Sequence, residues 1–182
     1  QLPHCWYFRN GYGLLAHQDG ASLVEQGDNR YHAIFGNSGP AKFVSSSRFA
    51  PSMIAFSAKV RVVGPASQSN GGTEVGNGLV EEFIPLEYFY QTPKTDTQGI
   101  HALKPGQLIT HLWLPKATDI QSGAYEVLEM NSLDQPQASA AVSLKQRSGI
   151  ITEARIVLGH VAPTPWIAQE ASRLLIGQRL TE

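Results

Sequence analysis

Arg155-Ile156-Val157-Leu158-Gly159-His160-Val161-Ala162-Pro163-Thr164-Pro165-Trp166 is the stretch on which the fold turns. It opens as a strand, with apolar residues at 154, 156 and 158. Gly159 ends that pattern. Pro163 and Pro165 then fix a corner, because each proline locks its own φ and biases the residue before it toward extended backbone. Ile167, Ala171, Leu174 and Leu175 follow at the spacing of one helical face. Gly177 stands where a helix C-terminus favours a left-handed residue. Strand, rigid corner and short amphipathic helix make one packing unit.

Working outward from it, Ala124 to Met130 alternates as a strand, and Ser132-Leu133-Asp134 is expected to cap a short helix running through Ala140. Ala141 to Lys145 and Ile151 to Leu158 pattern as two strands about a turn at Arg147-Ser148-Gly149, a hairpin. Strand, short helix, hairpin and helix predict an α+β layer: an antiparallel sheet with helices gathered on one face. The hairpin argues against a parallel, doubly wound sheet.

The first half is less periodic. Residues 1–30 mix Trp6, Tyr7, Phe8 and Tyr12 with glycines, which suits ordered loop better than disorder. Tyr31 to Phe35 has the character of a short buried strand. Ser45, Ser46 and Ser47 offer N-caps to a helix whose Phe49, Met53 and Phe56 share a face, with Pro51 tolerated in its first turn. Lys59 to Val63 alternates as a strand. Residues 64–78, rich in Gly, Ser and Asn, are expected to be a flexible surface loop. Leu79 to Leu86 is apolar again, Leu86 to Tyr90 suits a helical turn, and Leu108 to Leu114 alternates until Pro115. This organisation predicts two units, 1–105 and 106–182.

Among 182 residues 42% are apolar, enough for a real core, and the net charge of −1 carries no footprint for nucleic acid or an anionic membrane surface. No apolar run reaches membrane-spanning length and no secretory signal is visible, so a cytoplasmic location is expected. One cysteine, Cys5, excludes an internal disulfide framework. The first residue is Gln, which suggests a processed, trimmed or partial chain. The six histidines are scattered, without the spacing of a metal site on one element. Cys5 has no basic neighbour in sequence besides His4 and is expected to be inert. Asp28-Asn29-Arg30 suits a phosphate contact through Arg30, or a plain turn with a surface arginine. No dinucleotide glycine fingerprint, P-loop or nucleophile–base pair is present, so no catalytic residue and no metal ligand is expected.

Several phrases, in order, resemble the flavin-binding medium subunit of the xanthine dehydrogenase, aldehyde oxidoreductase and carbon monoxide dehydrogenase family. They are Cys5-Trp6-Tyr7-Phe8-Arg9, Gly27 to Gly36, Phe49-Ala50-Pro51 to Ala58, Ile84 to Phe89, Pro105 to Thr110, Tyr125-Glu126-Val127, Leu133-Asp134 and Arg155 to Trp166. The resemblance implies the second half of a PCMH-type FAD-binding domain followed by a domain like the CO dehydrogenase flavoprotein C-terminal domain. It implies an electron-transferring role for FAD between iron–sulfur centres and an acceptor. Partners would be a molybdopterin-binding large subunit and an iron–sulfur small subunit, without nucleic acid or membrane.

The chain departs from that family in four places. The glycine-rich loops that cradle the FAD pyrophosphate lie upstream of Gln1 in the family. Where one subgroup has four cysteines for an iron–sulfur cluster, only Cys5 remains, the others falling near Leu15, near Ser22 and at Ala41; no cluster is expected. The family's Ser-Asp turn aligns with Ser47-Arg48, and a family glutamate with Gln107. Ser47, Arg48, Leu108 and Ile109 are the flavin contacts the resemblance implies, with FAD held poorly by this chain alone. The alternative is a non-catalytic assembly module that has lost flavin and iron–sulfur binding.

Overall fold

The computed structural model describes residues 3–69, 71–130 and 134–180. The N-terminal segment carries α1 (Trp6–Arg9), a small hairpin of β1 (His17–Gln18) and β2 (Ala21–Ser22), and α2 (Leu23–Gln26). Helix α3 (Ala50–Ala55) leads into β3 (Lys59–Pro65), a 3₁₀ turn at Ala66–Gln68, β4 (Thr73–Gly76), β5 (Leu79–Pro85), α4 (Leu86–Phe89) and β6 (Leu108–Trp113). The remainder is β7 (Ile120–Val127), β8 (Ala138–Arg147), β9 (Ile150–Gly159), β10 (Trp166–Ile167) and α5 (Gln169–Leu175).

Two four-stranded antiparallel sheets result, in the orders β4-β5-β3-β6 and β10-β9-β8-β7. Helix α3 lies against β8 and β9 and shares one apolar core with both sheets. Val60 and Val62 come from β3, Met53 and Ile54 from α3, Ala141 from β8 and Val157 from β9. Alternation explains the geometry: positions 60, 62 and 64 of β3 are buried, as are 139, 141 and 143 of β8. The inward residues of β8 are Ser139, Ala141 and Ser143, small enough to let a helix approach. Ser143 Oγ donates to the Ala55 carbonyl at 2.6 Å, satisfying an oxygen that the end of α3 leaves unpaired. A second apolar cluster of Cys5, Leu15, Ala16, Val24, Ala41 and Phe43 holds the N-terminal loops.

The β8–β9 hairpin forms where expected, with Ser148 and Gly149 both at positive φ, as a two-residue turn of matching twist requires. Its core face is the odd one, through Ile151 and Val157, rather than the 154–156–158 row. The corner after Gly159 is buried. Ile34 and Phe35 both donate N–H to the Val161 carbonyl at 2.9 Å, and Ser45 donates to Ala162 at 3.0 Å. Gly36 meets Trp166 here, where φ is +61° and a Cβ would stand 3.2 Å from the indole, so only glycine suits.

Helix α5 also forms, and Gly177 adopts the left-handed conformation with φ +86°. Its orientation differs from the expectation. The helix runs along the open edge of β9: Ala168 N–H bonds Ile156 O, Gly177 N–H bonds Ile151 O, and Ile151 N–H bonds Gln178 O. Ser172 takes the place of a strand residue there, its Oγ accepting from Ile156 N–H at 3.0 Å and donating to Ala168 O at 2.8 Å. Leu174 is therefore 75% exposed, although the spacing assigned it to the apolar face.

Other expectations are corrected. Tyr31 to Phe35 is a bend whose Ile34 points outward, not a buried strand, because the backbone of 34 and 35 is used by Val161. Residues 64–78 are not a loop throughout: the end of β3, a 3₁₀ turn and β4 occupy much of the segment, and Asn77-Gly78 closes a two-residue hairpin into β5 with both φ positive. The signal was legible, since Asn-Gly between strands favours that turn. Of the helix expected from Ser132 to Ala140, residues 131–133 lie outside the described residues, and Ala138 to Ala140 is strand. Strand β6, which follows the boundary expected between 105 and 106 without correcting it, pairs with β3 in the first sheet. Among the described residues no helix is long and apolar enough to cross a membrane.

Candidate functional site

Ser47 and Arg48 precede α3, and both are already engaged. Ser47 Oγ accepts the Ala50 N–H at 3.0 Å and is hydrogen-bonded to the Tyr90 hydroxyl. It is buried and holds the first N–H of α3, while the N-cap position expected of one of the three serines is Phe49. Arg48 reaches across to β7: its Nε lies 3.0 Å from each carboxylate oxygen of Glu126, and Nη2 closes the fork. The guanidinium holds the Glu126 carboxyl below its usual range. Leu108 and Ile109 open β6, an edge strand of the first sheet, and are 70% and 47% exposed. Gln107, beside them, bonds its own loop, its Oε1 accepting from Lys104 N–H at 2.9 Å. The four assigned positions therefore split into an occupied polar pair at α3 and an open apolar pair on β6.

The residues at these positions do not fit a complete FAD. A diphosphate needs donors, and the hydroxyl and guanidinium offered are committed within the protein. The apolar start of β6 suits one edge of a flavin ring. Nor do the positions aligned with cysteine ligands fit an iron–sulfur cluster. Cys5, Leu15 and Ala41 pack into one apolar cluster, and Ser22 Oγ caps α2 by accepting from Glu25 N–H.

The fold also gathers residues that sequence spacing left apart. His4, His32 and His160 line one cavity of about 520 Å³, together with Glu129 and Asp134. His32 Nε2 stands 3.3 Å from Cys5 Sγ, and His160 Nδ1 3.2 Å from Ser139 Oγ. His32 Nδ1 and His160 Nε2 are buried and make no hydrogen bond. Burial pushes all three imidazoles below their ordinary pKa, and Glu126 partly offsets this at His160. Burial likewise raises the Cys5 thiol, which favours the inert protonated form over a nucleophile. Among the described residues no three metal-ligating side chains converge closely enough to hold an ion. Asp28 and Arg30 pair with each other at 2.7 Å, which answers the turn reading of that phrase. The histidine cavity left no sequence signal, because its members come from α1's approach, a bend and the corner after β9.

Comparison with known proteins bears on this arrangement. Residues 123–182 match the family model of the CO dehydrogenase flavoprotein C-terminal domain. The carbon monoxide dehydrogenase medium chain of Afipia carboxidovorans is 38% identical over 79 residues, which is 43% of this chain and 27% of that protein. Among solved structures, a Cu,Mo-CO dehydrogenase in its cyanide-inactivated form superposes with a TM-score of 0.60 at 24% identity, over 75% of this chain and 42% of the other. Quinoline 2-oxidoreductase from Pseudomonas putida 86 superposes at 0.55 and 17% identity, over 93% and 49%. At those identities the structural likeness speaks to the fold, which is the mixed, mainly antiparallel one expected. The chain spans about a quarter of the curated relative and under half of the structural ones. The resemblance to flavoprotein medium subunits of molybdenum hydroxylases therefore stands.

Proposed function

From its kinship with CO dehydrogenase-type flavoprotein subunits, we propose that the chain is part of an FAD-binding, electron-transferring medium subunit. Its complex would be a molybdenum-containing oxidoreductase of the aldehyde or xanthine type. The family match over residues 123–182 carries the reading. FAD, where bound, would supply electron-transfer chemistry, and the partners would be an iron–sulfur small subunit and a molybdopterin-binding large subunit. The chain's own part is placement. Leu108 and Ile109 offer an apolar edge to the ring, while Ser47 and the Arg48–Glu126 fork fix the start of α3 against the second sheet. Residues 1–105 act with β6 as the flavin-side unit, and the rest as the C-terminal unit, in the cytoplasm.

A second reading has its own support. Ser47 and Arg48 are both engaged inside the protein, which favours an assembly module without flavin. One experiment separates the two. FAD is titrated into the chain alone, and again after co-expression with molybdopterin-binding and iron–sulfur subunits, while tryptophan emission is followed. Trp113 lies on the same strand as Leu108 and Ile109, so flavin bound there quenches it. The flavoprotein reading expects weak quenching alone and one flavin per complex after co-purification. A complex that forms without flavin selects the assembly reading, and no complex at all defeats both.

A further inference from the structure

A cleft of about 550 Å³ opens between α5, the β8–β9 hairpin and the segment after β6. Four cations line it, Lys116, Lys145, Arg155 and Arg173, against two carboxylates, Glu87 and Glu153. Both carboxylates are taken. Arg155 Nη2 bonds Glu87 at 2.5 Å, and Lys145 Nζ lies 2.9 Å from Glu153. Lys116 and Arg173 are exposed and form no ion pair among the described residues. Two positive charges therefore face the cleft uncompensated.

Arg155 adds a second demand. Its Nε is buried and without an acceptor, and its Nη1 reaches Ser57 Oγ only at 3.5 Å. The Nε lies too deep for an oxygen in the cleft to reach, whereas the weakly held Nη1 keeps donor capacity toward the cleft. Uncompensated cations approaching from α5 and from the segment after β6, beside a guanidinium whose Nη1 is weakly held, describe a host for a compact anion with several oxygens. Guanidinium forks match phosphate oxygens in spacing and plane. Monocarboxylates would satisfy only half of the free charge.

We propose that this cleft binds a phosphate-class polyanion, with diphosphate its simplest form, either free or as the diphosphate of a nucleotide. The site is separate from the flavin reading, since none of its cations is among Ser47, Arg48, Leu108 and Ile109. Binding weakens as salt rises, because the two unpaired cations are solvent-exposed.

The test is calorimetric titration of the whole chain with inorganic diphosphate, orthophosphate and ADP at low ionic strength. Arg173→Ala, Lys116→Ala and the double variant are compared with Lys94→Ala, which lies outside the cleft. Saturable diphosphate binding is expected, weakened about tenfold by each cleft substitution and unchanged by Lys94→Ala. Because Lys116 and Arg173 are exposed, circular dichroism should show folded variants. ADP binding that falls with the same substitutions assigns the anion to a nucleotide, and diphosphate alone assigns it to the free ion. Absence of saturable binding, or equal binding by the double variant, overturns the proposal. Neither result depends on whether FAD quenches Trp113.

Discussion

Replacing Gly159 with alanine tests how closely α3 is seated on the second sheet. Gly159 pairs with Ser139 across β9 and β8, and Pro51 of α3 sits directly over it. A Cβ at 159 would stand 2.7 Å from Pro51 Cγ and closer still to Ser139 Oγ. Ordinary carbon contacts lie at about 3.5–4.0 Å, so each neighbour must withdraw by roughly 1 Å. The serine hydroxyl can rotate away, but only by giving up its contact with His160 Nδ1. The proline ring cannot rotate, and it is fully buried, so α3 itself must lift. Overpacking of this kind costs about 1–3 kcal/mol. Alanine's stiffer unfolded chain returns about 0.4–1 kcal/mol, leaving a net loss of up to about 2.6 kcal/mol with a central value of about 1.3 kcal/mol. At about 2–4 °C per kcal/mol for a domain of this size, the central value lowers Tm by roughly 3–5 °C. Thermal unfolding followed by circular dichroism measures it. Gly123→Ala is the control, because a Cβ there meets nothing within 4 Å. It should stay within about 0.5 kcal/mol of the parent. Equal melting temperatures for Gly159→Ala and the parent would refute the close seating of α3.

Three further outcomes are expected. Ser47→Ala removes the acceptor of the Ala50 N–H at the start of α3 and should cost about 1 kcal/mol in a urea titration; an unchanged midpoint would mean that the hydroxyl does not hold that N–H. His4, His32 and His160 are pushed below their ordinary pKa by burial, so the unfolded chain takes up their protons first. Stability is then full above about pH 6.5 and falls on acidification toward pH 5. His160→Asn tolerates the positive φ of that residue and should flatten the fall; parallel curves for both proteins would contradict it. Cys5 is 3% exposed with its thiol pKa raised by burial, so an alkylating reagent should label it slowly in buffer and fast in denaturant. Complete native labelling within minutes would show that the N-terminal cluster is open.

Much of the fold was legible in the chain. The β8–β9 hairpin, the glycine stop at 159, the left-handed Gly177 and strands β3, β5 and β6 all follow from features within a few residues of one another. The Asn77-Gly78 hairpin belongs with them, although the small polar residues around it suggested loop. The α+β class and the flavoprotein resemblance rest on the same local phrases. What the chain did not disclose are relations between distant segments. Arg48 and Glu126 are 78 residues apart, and their fork occupies a position the resemblance had given to flavin. The three histidines of one cavity, and the cations of the α5 cleft, meet only because two sheets close over α3. Likewise the spacing of Leu174 defines a helical face but not what covers it, and the edge of β9 claimed Ser172 instead. Periodicity and turn chemistry act over a few bonds of backbone, so sequence determines them directly. Which charges pair and which faces are buried depends on strand order and register, and those are settled only by the whole core.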